Sequence, residues 1–569
     1  MAGTVVVADQ NYLRPGLSLK QTHLQQICNL SVESQERAYR MTNIICTVGP
    51  SCDSVDMLRQ LINNGMNICR FNLAHANLDY HLQTLHNLRA AFAESKNTAH
   101  SIVATAIDIS GPCIRVGAFK KDLKQPIKLS HGQMVTLTSD EAFKELSDTE
   151  NVYVPQSFVK IANKNDQIYI EDGPLCFEKL TLSSDDVALR CSVVNNGEIC
   201  DFYQCHIPMK LPVENPELTE KDKKDLEFGI EHNIDIVLVS WVWCPEIILA
   251  VRAQLGEANS RMKVIAKIEN YEGVKRIDEI IQVADGILVG RGDLGIDIPP
   301  EKVFLAQKMI IGRANLAGKP VICAAQMLDS MVTNARPTRA EASDVANAIL
   351  DGTDCVMLSK ETAVGKHPVA ACSMLVQICT EAENALFHAR MFRDLRQATR
   401  IPTDNVHATS IAAVEAALRC SAAAIIVVTN SGRSAAMIAR YRPHCIIIAI
   451  TKSNHTARCL NLHRGIFAVL HTGASCDEWY MDIDMRIHYA LSFARERGYV
   501  RHRDRAILVT GQQSGPGSTN TVRSITVPHE NEKPHYLNTP HTQKHLGIAS
   551  SEDEDSCSGD EGTDIVKFH

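Results

Sequence analysis

Two short runs in this chain end in groups that can handle charge. Val264-Ile265-Ala266-Lys267-Ile268-Glu269-Asn270 is apolar and β-branched until it closes on a lysine and a carboxylate two residues apart. Alternate residues of a strand share a face, so the ammonium and the carboxylate emerge together at the strand's C-terminal end. Gly286-Ile287-Leu288-Val289-Gly290-Arg291-Gly292-Asp293 brings another carboxylate to a second strand end. Two carboxylates and a lysine around one cleft suit a divalent cation that handles a phosphate. Read singly, Lys267 and Glu269 could also be a surface ion pair, although a strand end is a poor place for idle charge.

The elements that must position these groups recur along the chain. Strand candidates at residues 43–47, 67–71, 103–108, 234–239, 263–267, 286–289, 320–324 and 354–358 alternate with helix-like segments. Ser54 predicts a cap for the first helix, Met57, Leu58, Leu61 and Ile62 make its apolar face, and Gly65 ends it. Thr219 with Asp222 predicts a capping box. Eight β/α units predict an α/β fold of the closed, parallel (β/α)8 TIM-barrel type, with its chemistry at the C-terminal ends of the strands. Between residues 116 and 215 the texture changes to short alternating runs (133–138, 167–170, 187–194) with Asp, Asn and Gly turns. A small β-barrel insertion leaves the main barrel there, placed to act as a lid that excludes water. Runs at 423–429, 445–451 and 505–510 predict a C-terminal α/β domain. The organisation is thus an N-terminal extension (1–39), a barrel (40–115 and 216–391), a β-rich lid (116–215), an α/β domain (392–528) and an acidic tail (529–569).

Composition narrows the function classes. A chain of 569 residues, 45 % hydrophobic and 22 % charged, is globular and multidomain. No apolar run reaches the roughly 18 residues of a membrane helix, and no secretory signal is visible, so a cytoplasmic protein with no membrane partner is expected. The 19 cysteines are scattered, several within strand-like runs (Cys46, Cys69, Cys323, Cys355), as expected of reduced, buried thiols. With no CxxC pair and no HExxH, a zinc site is not expected. The net charge of −8 is concentrated after residue 528, where nine acidic residues face three basic ones. The near-neutral body argues against a nucleic-acid partner. The tail, with Ser551-Glu552-Asp553-Glu554-Asp555, is expected to be disordered and solvating, and its serines are candidates for phosphorylation.

Several blocks together resemble pyruvate kinases: Cys46-Thr47-Val48-Gly49-Pro50, Arg70-Phe71-Asn72, the Lys267-Ile268-Glu269-Asn270 run, Gly290-Arg291-Gly292-Asp293-Leu294-Gly295, Gln326-Met327-Leu328, Arg336-Pro337-Thr338-Arg339-Ala340-Glu341 and Ser343-Asp344-Val345-Ala346-Asn347-Ala348. The likeness spans about residues 40 to 528, in order. It implies a tetramer, homomeric or heteromeric, that transfers a phosphoryl group from phosphoenolpyruvate to ADP in glycolysis, giving pyruvate and ATP, with Mg2+ (or Mn2+) and K+. By this resemblance Lys267 and Arg70 are catalytic, and Arg70, Lys267, Gly292 and Asp293 bind substrate. Glu269 and Asp293 hold Mg2+; Asn72, Asp108 and the Ile109 carbonyl contribute to K+; Pro50, Asn72 and His75 lie on the nucleotide side. His75 taken alone reads equally well as a satisfied polar residue. Thr429-Asn430-Ser431-Gly432-Arg433-Ser434, with Trp479, Arg486 and Gly517, matches the family's fructose 1,6-bisphosphate site, a hydroxyl-rich turn at a helix start.

The departures from the family pattern gather at one place. Ala325 stands where the family has a catalytic threonine, and Ala74 where it has a serine that binds K+. Cys113 and Ser110 replace a glutamate and a lysine, while Arg115 is kept. The lid lysines are replaced within residues 202–205, Lys360 takes the place of a glycine, and Gln512 and Gln513 replace a Trp-Arg pair. Two readings stay open: a pyruvate kinase of reduced or altered activity, or a pseudoenzyme acting as a regulatory subunit of pyruvate kinase tetramers. A redox-sensing role for Cys113 is a third.

Overall fold

The chain is described from a computed structural model. It covers residues 22–34, 39–94, 102–111, 113–121, 123, 125–171, 175–182, 187–210, 217–473, 476–511, 517–532 and 535–536. Eight strands close into a parallel barrel: Asn43–Val48, Ile68–Asn72, Ala104–Ile109, Ile236–Val239, Lys263–Ile268, Gly286–Gly290, Val321–Ala324 and Cys355–Leu358. Each coincides with a predicted strand to within a residue or two. Nearly every strand residue is buried, because the inner face fills the barrel and the outer face meets the helices. The predicted caps are present. The Ser54 side chain accepts from Met57 N, and Thr219 and Asp222 form a reciprocal capping box.

Alternation along the strands explains why the apolar interior gives way to a polar mouth. Ile45, Ile68, Ala106, Leu238, Ile265, Leu288, Ile322 and Met357 form one inner cluster. Two residues further along each strand come Thr47, Arg70, Asp108, Ser240, Lys267, Gly290, Ala324 and Ser359. The two-residue period keeps them on the inner face, one layer nearer the C-terminal end.

Among the described residues, the insertion after the third barrel strand forms a six-stranded sheet and a separate two-stranded ribbon, with the short helix Gln156–Ile161 and a 3-10 turn at Glu141–Phe143 beside them. Among the described residues the insertion is thus β-rich, with isolated bridges Arg115–Gln204 and Phe119–Ser147 beside its sheets. Its core joins Val116, Phe119, Phe158, Phe177 and Leu189.

The C-terminal domain is a five-stranded sheet. Its predicted strands (Ala424–Val428, Ile446–Thr451, Arg505–Gly511) are flanked by Ile466–Leu470 and the antiparallel Thr519–Thr526. The segment expected to be tail from residue 529 starts as part of this domain. Tyr536 is buried, its N–H donates to Asp484 Oδ1, and His535 pairs with Asp484. The buried ring of Tyr536 and its satisfied backbone N–H outweigh the polar composition around it. The acidic stretch beyond residue 536, with its serines, lies outside the described residues.

Barrel floor and C-terminal domain are tied by buried charge. Arg442 donates to both oxygens of Asp354 (2.6 and 2.9 Å) and to Gly352 O, and all sit in the interior. Burial pushes the Asp354 carboxyl up, but Arg442 pulls it further down, to below its usual value. A depressed folded pKa stabilises above the unfolded value of about 4 and is lost as pH falls through the folded one. We therefore expect Arg442→Met to cost about 3–5 kcal/mol at pH 7, because it leaves the buried Asp354 carboxylate without its guanidinium partner and with only the N–H groups of Val321 and Arg464. Without Arg442, burial holds the Asp354 carboxyl above its usual range, so thermal melts should show the difference from wild type beginning to shrink above about pH 4 and continuing to shrink below it.

Candidate active site

Lys267 reaches the barrel mouth from the fifth strand and is almost wholly buried. Its Nζ donates to Ser240 Oγ at 2.7 Å, and lies 3.0 Å from Glu269 Oε1 and 3.3 Å from Asp108 Oδ2. Burial works against this ammonium, but Asp108 and Glu269 outweigh it, so its pKa lies above the usual lysine value. Arg70, from the second strand, donates through Nε to Asp108 Oδ2 (2.8 Å) and through Nη1 to Thr47 Oγ1 (2.8 Å). Burial raises Asp108, yet Lys267 and Arg70 together hold it below the usual carboxylate range. At neutral pH the layer is therefore two fixed cations over an ionised carboxylate.

Glu269 is held from the other side. Trp241 N donates to Oε2 at 2.9 Å, and Trp241 adopts φ 55° to do so. Gly290 lies flat against Glu269: a Cβ there would stand 2.5 Å from Glu269 Cγ. Asp293 sits in the first turn of the short helix Arg291–Asp297, and its charge reaches both Lys267 and Cys113. Gly292 lies beside it on that turn.

The loop after the seventh strand is bent into an uncommon shape. Ala325 and Gln326 have φ of 70° and 51°, a left-handed conformation that side-chain-bearing residues adopt at a cost. Arg291 holds it there, donating to Ala325 O (2.9 and 3.2 Å) and Gln326 O (3.1 Å) while paired with Asp344 at 2.6 Å.

At the rim, Asn72 ends the second strand and its Oδ1 accepts from Ala74 N at 3.3 Å. His75 and Pro50 are exposed, and Ile109 ends the third strand. Arg115 reaches the lid, donating to Phe202 O at 2.8 Å. Cys113 is half-buried, and burial pushes its thiol well up, with the Glu269 and Asp293 carboxylates adding to that against the opposing Arg115.

In the C-terminal domain, Gly432 N donates to Thr429 Oγ1 (3.1 Å), and Gly432 takes φ 83° to turn into the helix Arg433–Arg440. Asn430 O accepts from Thr456 Oγ1, Ser434 bonds Thr519 and Arg433 meets Asp404. Trp479 opens the helix Trp479–Glu496, on which Arg486 pairs with Asp482, itself 3.3 Å from Lys452. Gly517 has φ 82°. Residues 512–516 lie outside the described residues.

Ser240, Trp241 and Arg291 are the participants that motif reading passed over. The signal available for Ser240 was positional, since it directly follows the fourth barrel strand.

A closed parallel barrel with cations and carboxylates gathered at its strand ends has the architecture of a barrel enzyme. Residues 39–372 match the family model "Pyruvate kinase, barrel domain", and residues 407–525 match "Pyruvate kinase, alpha/beta domain". The chain is 44 % identical over 514 residues to "Pyruvate kinase PKLR" of Homo sapiens, covering 90 % of this chain and 89 % of that one. It is 39 % identical over 509 residues to "Pyruvate kinase 2" of Trypanosoma brucei brucei (89 % and 100 %), and 38 % identical over 509 residues to "Pyruvate kinase" of Candida albicans (89 % and 100 %). The chain belongs to the pyruvate kinase family. Among its described residues no helix is long and apolar enough to cross a membrane.

Proposed function

We propose that this chain transfers the phosphoryl group of phosphoenolpyruvate to ADP, at a rate limited by delivery of a proton to the enolate that remains. The supporting observation is the Lys267 ammonium, fixed at the barrel mouth by Ser240, Glu269 and Asp108. Phosphoryl transfer needs positive charge placed in advance on the moving group and little covalent work. Lys267 provides that charge, Arg70 grips the phosphate, and the backbone N–H groups at Gly292 and Asp293 receive the substrate carboxylate. Pro50, Asn72 and His75 line the nucleotide side.

Glu269 and Asp293 fit Mg2+ or Mn2+, being hard carboxylate donors on adjoining strand ends. When bound there, such a cation would neutralise phosphate charge. The K+ set fits poorly: Ala74 offers only a methyl group, and both Asp108 oxygens already accept from Arg70, Ser240 or Lys267. That leaves the Ile109 carbonyl and Asn72, whose Oδ1 already accepts from Ala74 N, and the chain is read as weakly dependent on K+.

Ala325 carries no hydroxyl where the family places its proton donor. Water must then protonate the enolate carbon, which slows turnover. The test is pyruvate production by the purified chain from phosphoenolpyruvate and ADP with Mg2+ and K+ in excess. A slow, Mg2+-dependent rate supports the reading, and no pyruvate at all removes it.

The alternative, a pseudoenzyme that joins tetramers of active pyruvate kinases, rests on Ala325, Ala74 and Cys113 lying beside a complete turn at residues 429–434. In either reading that turn, with Trp479, Arg486 and Gly517, receives a sugar bisphosphate such as fructose 1,6-bisphosphate. Arg486→Ala should weaken bisphosphate binding about tenfold or more by calorimetry, the loss expected when one charge-assisted contact goes. Failure to co-purify with an active homologue, together with no bisphosphate binding, would dismiss the regulatory subunit.

A further inference from the structure

Asp297 closes the short helix Arg291–Asp297, four residues after Asp293, so the two carboxylates share one face of it. Asp297 is buried, and its oxygens accept backbone N–H groups from two other segments. Met209 N donates to Oδ1 at 2.8 Å, and Tyr271 N donates to Oδ2 at 2.6 Å. Tyr271 lies two residues beyond Glu269, just past the fifth barrel strand. Met209 belongs to the limb of the lid that runs back toward the barrel after the strand Cys205–His206. It takes φ 59° there, a left-handed conformation that costs free energy. One carboxylate thus joins the Asp293 helix, the segment after Glu269 and the lid.

The same limb reaches Glu269 by a second route. His206 packs against Trp241, with ring centroids 5.5 Å apart and planes at 61°. Trp241 N is the donor that holds Glu269 Oε2. Both rings are buried. Neither imidazole nitrogen, nor the indole N–H, has a hydrogen-bond partner among the described residues. Burial lowers the imidazole to about 4, so at neutral pH the contact joins two uncharged rings. What His206 gives Trp241 is therefore an edge-to-face wall and not a charge.

We propose that Asp297 and the His206–Trp241 pair are positioning residues, through which the returning limb of the lid sets the spacing of Glu269 and Asp293. The inference rests on the reading of those two carboxylates as the pair that holds a divalent cation. Such a cation accepts oxygen ligands only over a narrow range of distance. Two carboxylates on separate strand ends therefore bind it well only when the residues behind them hold them in place. Asp297 does this with two oxygens that each accept one N–H. Asparagine there would turn an NH2 group toward one of those donors and break one of the two links. Each of these residues acts through a neighbour: Asp297 through Tyr271 and its own helix, His206 through Trp241. The set was hidden in the sequence because its members come from separate segments that meet only in the fold.

The test measures Mn2+ binding to the full-length chain by electron paramagnetic resonance, without substrate, so turnover plays no part. We expect Asp297→Asn to weaken Mn2+ binding about 10–100-fold, the usual loss when a residue that orients ligands is changed. His206→Ala should weaken it about 2–10-fold, the worth of one aromatic contact. His206→Phe keeps the ring contact and should bind Mn2+ as wild type does; a small cavity beside His206, lined also by Cys113, Lys210 and Trp241, gives room for the phenyl ring. Arg442→Met destabilises the chain from the opposite end of the barrel and should leave Mn2+ affinity unchanged, which separates positioning from general loss of stability. Melts show whether each variant is folded, and should Asp297→Asn not fold, the two His206 variants decide. If the wild type binds Mn2+ and either folded Asp297→Asn or His206→Ala binds it equally well, the inference is overturned and the active-site reading stands. If the wild type binds no Mn2+, that reading falls and the inference falls with it.

Discussion

Lys267→Met is expected to lower kcat about 10³–10⁵-fold, the range over which a cation placed on a transferring phosphoryl group accelerates the reaction. Methionine keeps the length and most of the volume of the side chain, so packing at the barrel mouth changes little. Only the positive charge goes. Binding of phosphoenolpyruvate should suffer less than turnover, because Arg70 still grips the phosphate, while the charge that Lys267 meets develops in transfer. The substitution also leaves Asp108 and Glu269 facing one another in a buried layer with Arg70 as the remaining cation nearby. We therefore expect a lower Tm for the metal-free variant, partly restored by Mg2+. Steady-state kinetics with a lactate dehydrogenase couple, and melts with and without Mg2+, measure both. A variant that keeps more than a tenth of wild-type kcat would show that Lys267 does not face the moving group.

Ala325→Thr should act in the opposite direction, raising kcat by about 10²-fold or more, the usual worth of a positioned proton donor. The gain carries a conformational cost. Position 325 has φ 70°, where a β-branched residue adds strain on the order of 1 kcal/mol. Tm should fall while the rate rises. Ala325→Val separates the two effects, since valine has the shape and strain of threonine without its hydroxyl. It should lower Tm and leave kcat unchanged. Arg291, by holding the carbonyls of residues 325 and 326, fixes where the new hydroxyl points. If valine accelerates the reaction as much as threonine, reshaping of the loop and not proton delivery limits the native chain. If neither does, the missing hydroxyl is not the deficiency.

Much of the positioning machinery was legible because it is local. Eight apolar, β-branched runs separated by capped helices specify a parallel barrel, and a two-residue period carries each strand from its apolar layer to Thr47, Arg70, Asp108, Ser240 or Lys267. The capping box at Thr219 lies within four consecutive residues, so its geometry is written in adjacent letters. The flanking strands Ile466–Leu470 and Thr519–Thr526 were missed. Both are mixed in burial at the sheet edges, where one-sided exposure weakens the apolar signal.

By itself, then, the order of residues determined which segments become strand or helix, which side chains share a face, and which carboxylates and lysine stand at the strand ends. Only the tertiary structure decided the rest. It brought Ser240 and Trp241 to opposite sides of the Lys267–Glu269 pair, bent Ala325 and Gln326 into the left-handed region under Arg291, buried Tyr536, and carried Met209 and Tyr271 to Asp297. Each of these depends on groups far apart in sequence, whose meeting is fixed by barrel closure and domain docking. A local pattern reports backbone preference and burial, but not which distant partner will satisfy a charge.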